Sequence, residues 1–136
     1  MHQESPRPGA DGRGRTLPIN VLLKGRTCLL VGAGHVAHRK CRNLLDHGAR
    51  VVLVAPDLTR GIRELAEMGQ VTVLEERYHA GLLDEIRPFL VYAATNDDAL
   101  NRGIAADANE RGILSSSASS WQEADFISPS LIPWGR

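Results

Sequence analysis

The sequence predicts an α/β domain with a Rossmann-like, doubly wound parallel sheet in a three-layer arrangement. Two observations predict it. Short apolar runs alternate with segments of helical periodicity, and a glycine motif at residues 32–37 joins the first run to the first helical segment. Runs that are apolar on both faces are typical of buried parallel strands. Right-handed crossovers between such strands build a sheet with helices on both faces.

Five apolar runs predict five strands. Four of them cover residues 27–31, 50–54, 71–74 and 90–94, and a short fifth starts at Ile113. Glycine or proline follows or precedes several of these runs, as expected where strands end. We expect the serine cluster at residues 115–120 to form the end of the fifth strand and a loop.

Helical periodicity fills the segments between the strands. Apolar or small residues recur along one face from Ala37 to Gly48 and again over residues 62–69. A third helix is predicted over residues 97–111, with an N-cap within residues 95–98 and Gly112 at its end. Pro88 argues against a long helix between residues 82 and 89.

Length and charge fit one domain of about 100–200 residues. The 136 residues include 16 Lys and Arg and 16 Asp and Glu, and this balance argues against a nucleic-acid partner. No apolar run reaches the ~18 residues of a membrane span, and no secretory signal precedes the domain. We therefore expect a cytoplasmic protein with no membrane partner. We expect Cys28 and Cys41 to be buried and to pack as apolar side chains, and we predict no metal site.

The amino-terminal segment differs from the rest in composition. Residues 1–16 are rich in glycine, proline and charge, and contain no apolar residue larger than Met1. Such a segment cannot bury enough surface to offset its ordering entropy. We predict a disordered tail at residues 1–16 and an NAD-binding Rossmann domain at residues 17–136.

The glycine motif predicts a dinucleotide site. Gly32, Gly34 and Ala37 fit G-x-G-x-x-G/A between a strand and a helix. Gly32 permits the tight turn, and Gly34 lets a pyrophosphate approach the backbone. Ala37 allows close packing of the helix on the strand. The free N–H groups at the helix start would then bind the phosphates.

The ribose position has two interpretations. An acidic side chain at the end of the second strand would accept hydrogen bonds from the ribose hydroxyls, and Asp57 follows that strand after Pro56. Asp57 could instead cap the helix that follows. Arg60 could meet a 2′-phosphate, so NAD and NADP both stay open, with NAD favoured.

The fourth strand ends in a second polar group. Thr95 and Asn96 follow it, at the point where ligands bind in sheets of this kind. We expect both residues to line the cofactor, and the same segment can also cap the next helix.

Together these motifs resemble the amino-terminal domain of siroheme synthase, the precorrin-2 dehydrogenase and sirohydrochlorin ferrochelatase family. The resemblance covers residues 17–131. It is carried by the following segments in this order: Leu-Pro-Ile at 17–19, Gly-Ala-Gly-His-Val-Ala-His-Arg-Lys at 32–40, Val-Ala-Pro at 54–56, Ala-Ala-Thr-Asn-Asp at 93–97 and Asp-Phe-Ile-x-Pro at 125–129.

The resemblance implies an NAD-dependent oxidation of precorrin-2 to sirohydrochlorin in siroheme (porphyrin-type) biosynthesis. In many members ferrous iron is then inserted as a substrate, and members are homodimers. By position, the family's cofactor contacts fall on His35, Val36, Pro56 and Asp57.

The sequence departs from the family in two places. The family aspartate implicated in catalysis corresponds to Ser119, and a serine hydroxyl cannot serve as a carboxylate base at neutral pH. Asp125, Asp97 or His79 could substitute if they reach the same space. Family members also continue past the Phe-Ile-x-Pro segment, so we expect this domain to lack the family's carboxyl-terminal dimerisation and helical region.

Two alternative functions stay open, one from shared motifs and one from these departures. A nucleotide-sensing Rossmann module has similar glycines, a late acidic residue and a polar end to its fourth strand. A catalytically degenerate member of the siroheme synthase family would bind NAD or tetrapyrrole without turnover.

Overall fold

A computed structural model describes residues 16–118 and 125–126 of the chain. The predicted tail at residues 1–16 lies outside this part except for its last residue, and Ser119 lies outside it as well. Nine elements alternate along the described residues: β1 (Thr27–Val31), α1 (His35–Asp46), β2 (Arg50–Val54), α2 (Arg60–Glu67), β3 (Val71–Leu74), α3 (Gly81–Ile86), β4 (Leu90–Ala93), α4 (Asp98–Glu110) and β5 (Leu114–Ser117).

The five strands form one parallel sheet in the order β3-β2-β1-β4-β5. The central strand β1 pairs with β2 from Thr27 opposite Arg50 to Val31 opposite Val54. On its other side it pairs with β4, beginning with Cys28 opposite Leu90. The order reverses between β1 and β4, so the connections after these two strands diverge at the carboxyl end of the sheet. In folds of this type ligands bind in that crevice.

Two apolar cores lie on opposite faces of the sheet, which confirms the three-layer arrangement. One core contains buried side chains of α1 and α2, and the other contains those of α3 and α4. Alternate residues of β1 supply both cores: Cys28 and Leu30 face one, and Leu29 and Val31 face the other. Burial on both faces explains why the strands read as continuous apolar runs.

One predicted helix is shorter than expected at its carboxyl end, and a further helix is as short as its proline requires. α1 stops at Asp46, so Gly48 lies beyond it with φ of +84° rather than on its face. A Cβ on Gly48 would also lie 3.2 Å from the Cα of Lys24. α3 has only six residues and ends just before Pro88, as the proline predicts.

The expected strand end is confirmed for Ser115, Ser116 and Ser117, which are the last three residues of β5, and Ser119 and Ser120 lie outside the described residues. Ser115, Ser116 and Ser117 are buried within β5, where Ser116 lies opposite Tyr92 of β4. Serine has no strong strand preference, so the pairing with β4 decides the conformation here.

Both cysteines are buried, as expected. Cys28 lies in β1 and Cys41 on the packed face of α1, each with 0% of its surface exposed. Burial raises the pKa of each thiol to about 11. The thiols are therefore protonated near neutral pH and behave as small apolar groups.

Candidate cofactor-binding site

A cleft of about 600 Å³ opens across the carboxyl ends of β1, β2 and β4. The turn after β1, the segment between β2 and α2, and the loop between β4 and α4 form its walls. All eight residues predicted to bind the cofactor line this cleft: Gly32, Gly34, His35, Val36, Pro56, Asp57, Thr95 and Asn96. The structure thus brings together residues that the sequence separates by up to 64 positions, and their contact with a cofactor stays a prediction.

The two glycines of the motif have different roles. Gly32 has φ of +125°, and a Cβ there would lie 2.5 Å from the carbonyl oxygen of Ala94. Only glycine fits that contact, so the fold itself requires Gly32. Gly34 has φ of −86°, and a Cβ there would meet no protein atom within 4 Å. The fold therefore leaves Gly34 free of constraint, and the open space beside it is part of the cleft.

The start of α1 presents free backbone donors to the cleft. Gly34 is the N-cap of this 12-residue helix and offers no side-chain cap. The first turn carries no acidic residue, and the first intrahelical bond runs from the His38 N–H to the Gly34 carbonyl oxygen at 2.9 Å. The N–H groups of His35 and Val36 precede that bond, so they have no acceptor within the helix. Such donors, with the positive end of the helix dipole, suit a phosphate.

The structure separates Asp57 from Arg60 at the second wall. Asp57 is exposed and lines the cleft. The N-cap of α2 is Thr59, so Asp57 does not occupy the capping position that was its alternative interpretation. Arg60 is outside the lining, its side chain is 92% exposed, and its Nε lies 3.5 Å from a carboxylate oxygen of Glu64.

A network of hydrogen bonds holds the third wall. The Thr95 hydroxyl donates to Oδ1 of Asn101 at 2.6 Å, and Nδ2 of Asn101 donates to the Thr95 carbonyl oxygen at 3.1 Å. Asp97 caps α4, because its Oδ1 accepts a hydrogen bond from the Leu100 N–H at 3.1 Å. The expected capping role of this segment is confirmed, and residues 94–97 also line the cleft.

Sequence reasoning missed Asn101. Its side chain is 1% exposed and lies on the same helix face as Ile104 and Ala108. The available signal was the i, i+3, i+7 spacing of these three positions, which places one amide among apolar residues. A polar side chain at a buried helix position needs partners, and Thr95 supplies them.

The three candidate substitutes for the missing carboxylate lie in different places. Asp97 lines the cleft. Asp125 is tied to β5, where its Oδ2 accepts from the Ser115 N–H at 3.0 Å and its own N–H donates to the Ser115 carbonyl oxygen at 2.8 Å. His79 lies 3.5 Å from Glu76 and is not in the cleft lining. Of the three, Asp97 is the one that the described lining contains.

Comparison with known proteins agrees with this geometry. Residues 19–130 match the model of a family described as NAD(P)-binding. The chain is 45% identical over 115 residues to siroheme synthase of Chromobacterium violaceum, and 40% identical over 116 residues to siroheme synthase 1 of Serratia proteamaculans. Each match covers 85% of this chain and 24% of the relative.

The chain belongs to the NAD(P)-binding domain family found at the amino-terminal end of siroheme synthases. Among solved structures it is similar to SirC, precorrin-2 dehydrogenase, with a TM-score of 0.72 and 30% sequence identity. That match covers 84% of this chain and 55% of SirC. The chain therefore spans about a quarter of the length of the siroheme synthases that it matches, and about half of SirC.

The cleft of this siroheme synthase family member fits a dinucleotide. Gly34 leaves open space where a larger side chain would fill the cleft, and the first N–H groups of α1, which have no acceptor within the helix, border the same space. Within residues 16–118 and 125–126, no group of three or more His, Cys, Asp or Glu side chains could hold a metal ion. Across the same residues, no helix is long and apolar enough to cross a membrane.

Proposed function

We propose that this domain binds NAD in the cleft and acts in the NAD-dependent dehydrogenation of precorrin-2 to sirohydrochlorin. The observation that carries the proposal is the convergence of all eight predicted cofactor residues on one cleft. The neighbouring relatives support the reaction class, because their names are siroheme synthase and precorrin-2 dehydrogenase.

Each wall of the cleft would bind a different part of NAD. The N–H groups at the start of α1 would bind the pyrophosphate beside Gly34. The carboxylate of Asp57 would accept hydrogen bonds from the adenosine ribose hydroxyls. Thr95 and Asn96 border the opposite wall, where they would contact the nicotinamide half. When bound, NAD supplies the hydride acceptor, and the protein positions it against the substrate.

NAD is favoured over NADP by the charges at the second wall. A 2′-phosphate near Asp57 would meet a carboxylate, and the repulsion between like charges weakens such binding. Arg60, the cation that could have neutralised that phosphate, lies outside the lining and beside Glu64.

The remaining partners follow from the resemblance. The substrate is a tetrapyrrole, and ferrous iron would be a further substrate where sirohydrochlorin is converted to siroheme. A second copy of the chain is the expected assembly partner, as in the homodimers of the family.

Two measurements on the purified chain test the proposal. Calorimetric titration with NAD tests the cofactor site, and absorbance after addition of precorrin-2 and NAD follows the formation of sirohydrochlorin. We expect binding of NAD and appearance of sirohydrochlorin. Absence of NAD binding would contradict the whole proposal. Binding without sirohydrochlorin, also after fusion to the carboxyl-terminal region of a siroheme synthase, would contradict the catalytic part.

One observation favours a second candidate, a cofactor-binding member without turnover. Ala118 lines the cleft directly after β5, and Ser119 stands at the position of the family aspartate, so neither residue provides a carboxylate. A degenerate member would bind NAD and tetrapyrrole without producing sirohydrochlorin, whereas a nucleotide sensor would bind NAD and ignore the tetrapyrrole. Titration of NAD with and without tetrapyrrole separates these two.

A further inference from the structure

A buried carboxamide holds the β4–α4 loop from behind the cleft. Asn101 is 1% exposed and does not belong to the cleft lining. It bonds Thr95 at both ends of its amide, accepting from the hydroxyl at 2.6 Å and donating to the carbonyl oxygen at 3.1 Å. The Thr95 N–H also approaches Oδ1 of Asn101 at 3.4 Å. The buried side chain of Asn101 therefore contacts the N–H, the hydroxyl and the carbonyl oxygen of Thr95.

The network continues from Thr95 back to the helix. The Asp97 N–H donates to the Thr95 hydroxyl oxygen at 3.2 Å, and Oδ1 of Asp97 accepts from the Leu100 N–H at 3.1 Å. Asn101 and Leu100 belong to the first turn of α4. The bonds thus form a closed path that begins and ends on α4 and includes both ends of the segment 95–97.

We infer that Asn101 is a positioning residue for the cofactor cleft, and that it determines which hydrogen bonds Thr95 can make to a ligand. A hydroxyl has one proton, and that of Thr95 has two acceptors within the protein, Oδ1 of Asn101 at 2.6 Å and the Asp97 carbonyl oxygen at 3.2 Å, of which Asn101 is the nearer. The hydroxyl can then accept a hydrogen bond from a ligand but cannot donate one. The inference rests on the proposed function, because the ligand in question is NAD.

Physical reasons favour this role over simple core filling. An apolar side chain at position 101 would match the apolar neighbours Ile104 and Ala108 of α4, whereas a buried amide costs free energy unless it is satisfied. Loops at the ends of strands are otherwise the more mobile part of a fold. The amide limits the segment 95–97 to one arrangement, which reduces the ordering cost when a ligand binds.

The first test compares NAD affinity in two asparagine variants of the same helix. Asn101→Leu removes the amide behind the cleft, and Asn109→Leu makes the same change at an exposed position of α4. We expect Asn101→Leu to weaken NAD binding about tenfold, since unsatisfied polar groups remain at Thr95. Asn109→Leu should stay within about twofold of the wild type. An Asn101→Leu protein with a lower melting temperature but the wild-type NAD affinity would overturn the inference.

A double-mutant cycle tests the connection between the two residues. Thr95→Val removes the hydroxyl and keeps the shape of the side chain. If Asn101 acts through Thr95, the double variant should bind NAD almost as tightly as the single variant that has the lower NAD affinity. The reason is that the effects of contacting residues are not additive. Strictly additive losses would contradict the inference.

Amide hydrogen exchange gives a measurement that does not depend on NAD. We expect faster exchange of the Asp97 N–H in Asn101→Leu than in Asn109→Leu, because its acceptor at Thr95 loses its own anchor. If Asn101→Leu does not fold, Asn101→Ala removes the same amide without adding volume, and Asn109→Ala is its matched control. Unchanged exchange at Asp97 would overturn the inference. A wild type that does not bind NAD would refute the proposed function, while the exchange result would still decide whether Asn101 orders the loop.

Discussion

Gly32 and Ala94 are in backbone contact, and a Cβ on Gly32 would lie 2.5 Å from the Ala94 carbonyl oxygen. This contact joins the turn after β1 to the end of β4, which form two of the three walls of the cleft. The neighbouring strands also continue their ladder here, with the Ala94 N–H donating to the Val31 carbonyl oxygen at 2.8 Å. The pairing of β1 with β4 therefore sets the distance between these two walls of the cleft.

The two glycines of the motif should respond differently to alanine. Gly32→Ala should lower the free energy of unfolding by about 2–4 kcal/mol. It places a side chain on a residue with positive φ and brings its Cβ into a clash with the Ala94 carbonyl oxygen. Gly34→Ala should change that free energy little, yet weaken NAD binding at least about tenfold, since its methyl group enters the cleft. Urea denaturation and calorimetric titration measure the two effects. Equal loss of stability in both variants would contradict the assigned roles.

Asp57 should determine the preference for NAD over NADP. Asp57→Asn should weaken NAD binding about tenfold, because a hydrogen bond to a charged acceptor is lost. The same variant should tolerate NADP better than the wild type does, so the ratio of the two dissociation constants narrows. Arg60→Gln is the control, and its ratio should equal that of the wild type. If the ratio of the two dissociation constants changed in Arg60→Gln and not in Asp57→Asn, Arg60 and not Asp57 would determine the cofactor preference.

The buried thiols should make stability fall in alkaline solution. The pKa of Cys28 and of Cys41 rises from 9.0 to about 11 on burial. Between these values the unfolded chain has lost protons that the folded chain retains, so the free energy of unfolding decreases as pH increases. Lys40 opposes this trend, because burial and the nearby Arg39 lower its pKa.

Replacement of both thiols isolates their contribution. In the variant Cys28→Ala/Cys41→Ala, the decline of the unfolding free energy from pH 9 to about 11 should become shallower. Urea denaturation across this pH range measures the slope, which can be compared even though the variant is less stable at every pH. An unchanged slope would exclude the thiols as its cause.

Ser119 should decide between an active and a degenerate member. If the serine disables the site, Ser119→Asp should raise sirohydrochlorin formation by about 10²–10⁴, the usual contribution of general acid–base catalysis. Ser120→Asp adds the same charge one residue away and should have no such effect. Equal rates in Ser119→Asp and the wild type would exclude the lost aspartate as the limiting feature.

Much of the fold was predictable because local rules agreed with it. Strands β1, β2 and β3 have the bounds that the apolar runs predict, since burial on both faces requires continuous apolar sequence. The predicted helix ends at Gly69 and Gly112 agree with φ values of +74° and +69° there. The fifth strand was predicted from its start, but its extent through Ser117 was not, because three serines carry no strand signal and their pairing with β4 is a tertiary contact.

The sequence by itself determined the fold class, the five strands, three of the four helices in the described residues and the family, because apolar periodicity and the spacing of glycines are local and independent of the rest of the chain; the short α3 was not predicted. Only the tertiary structure decided which groups share one cleft, and it placed Asp57 in the lining and Arg60 outside it. It also brought Gly32 so close to the Ala94 carbonyl oxygen that only glycine fits, and it placed Asn101 within hydrogen-bond distance of Thr95. These contacts join residues from different elements, and their distances exist only once the sheet has brought the strand ends together.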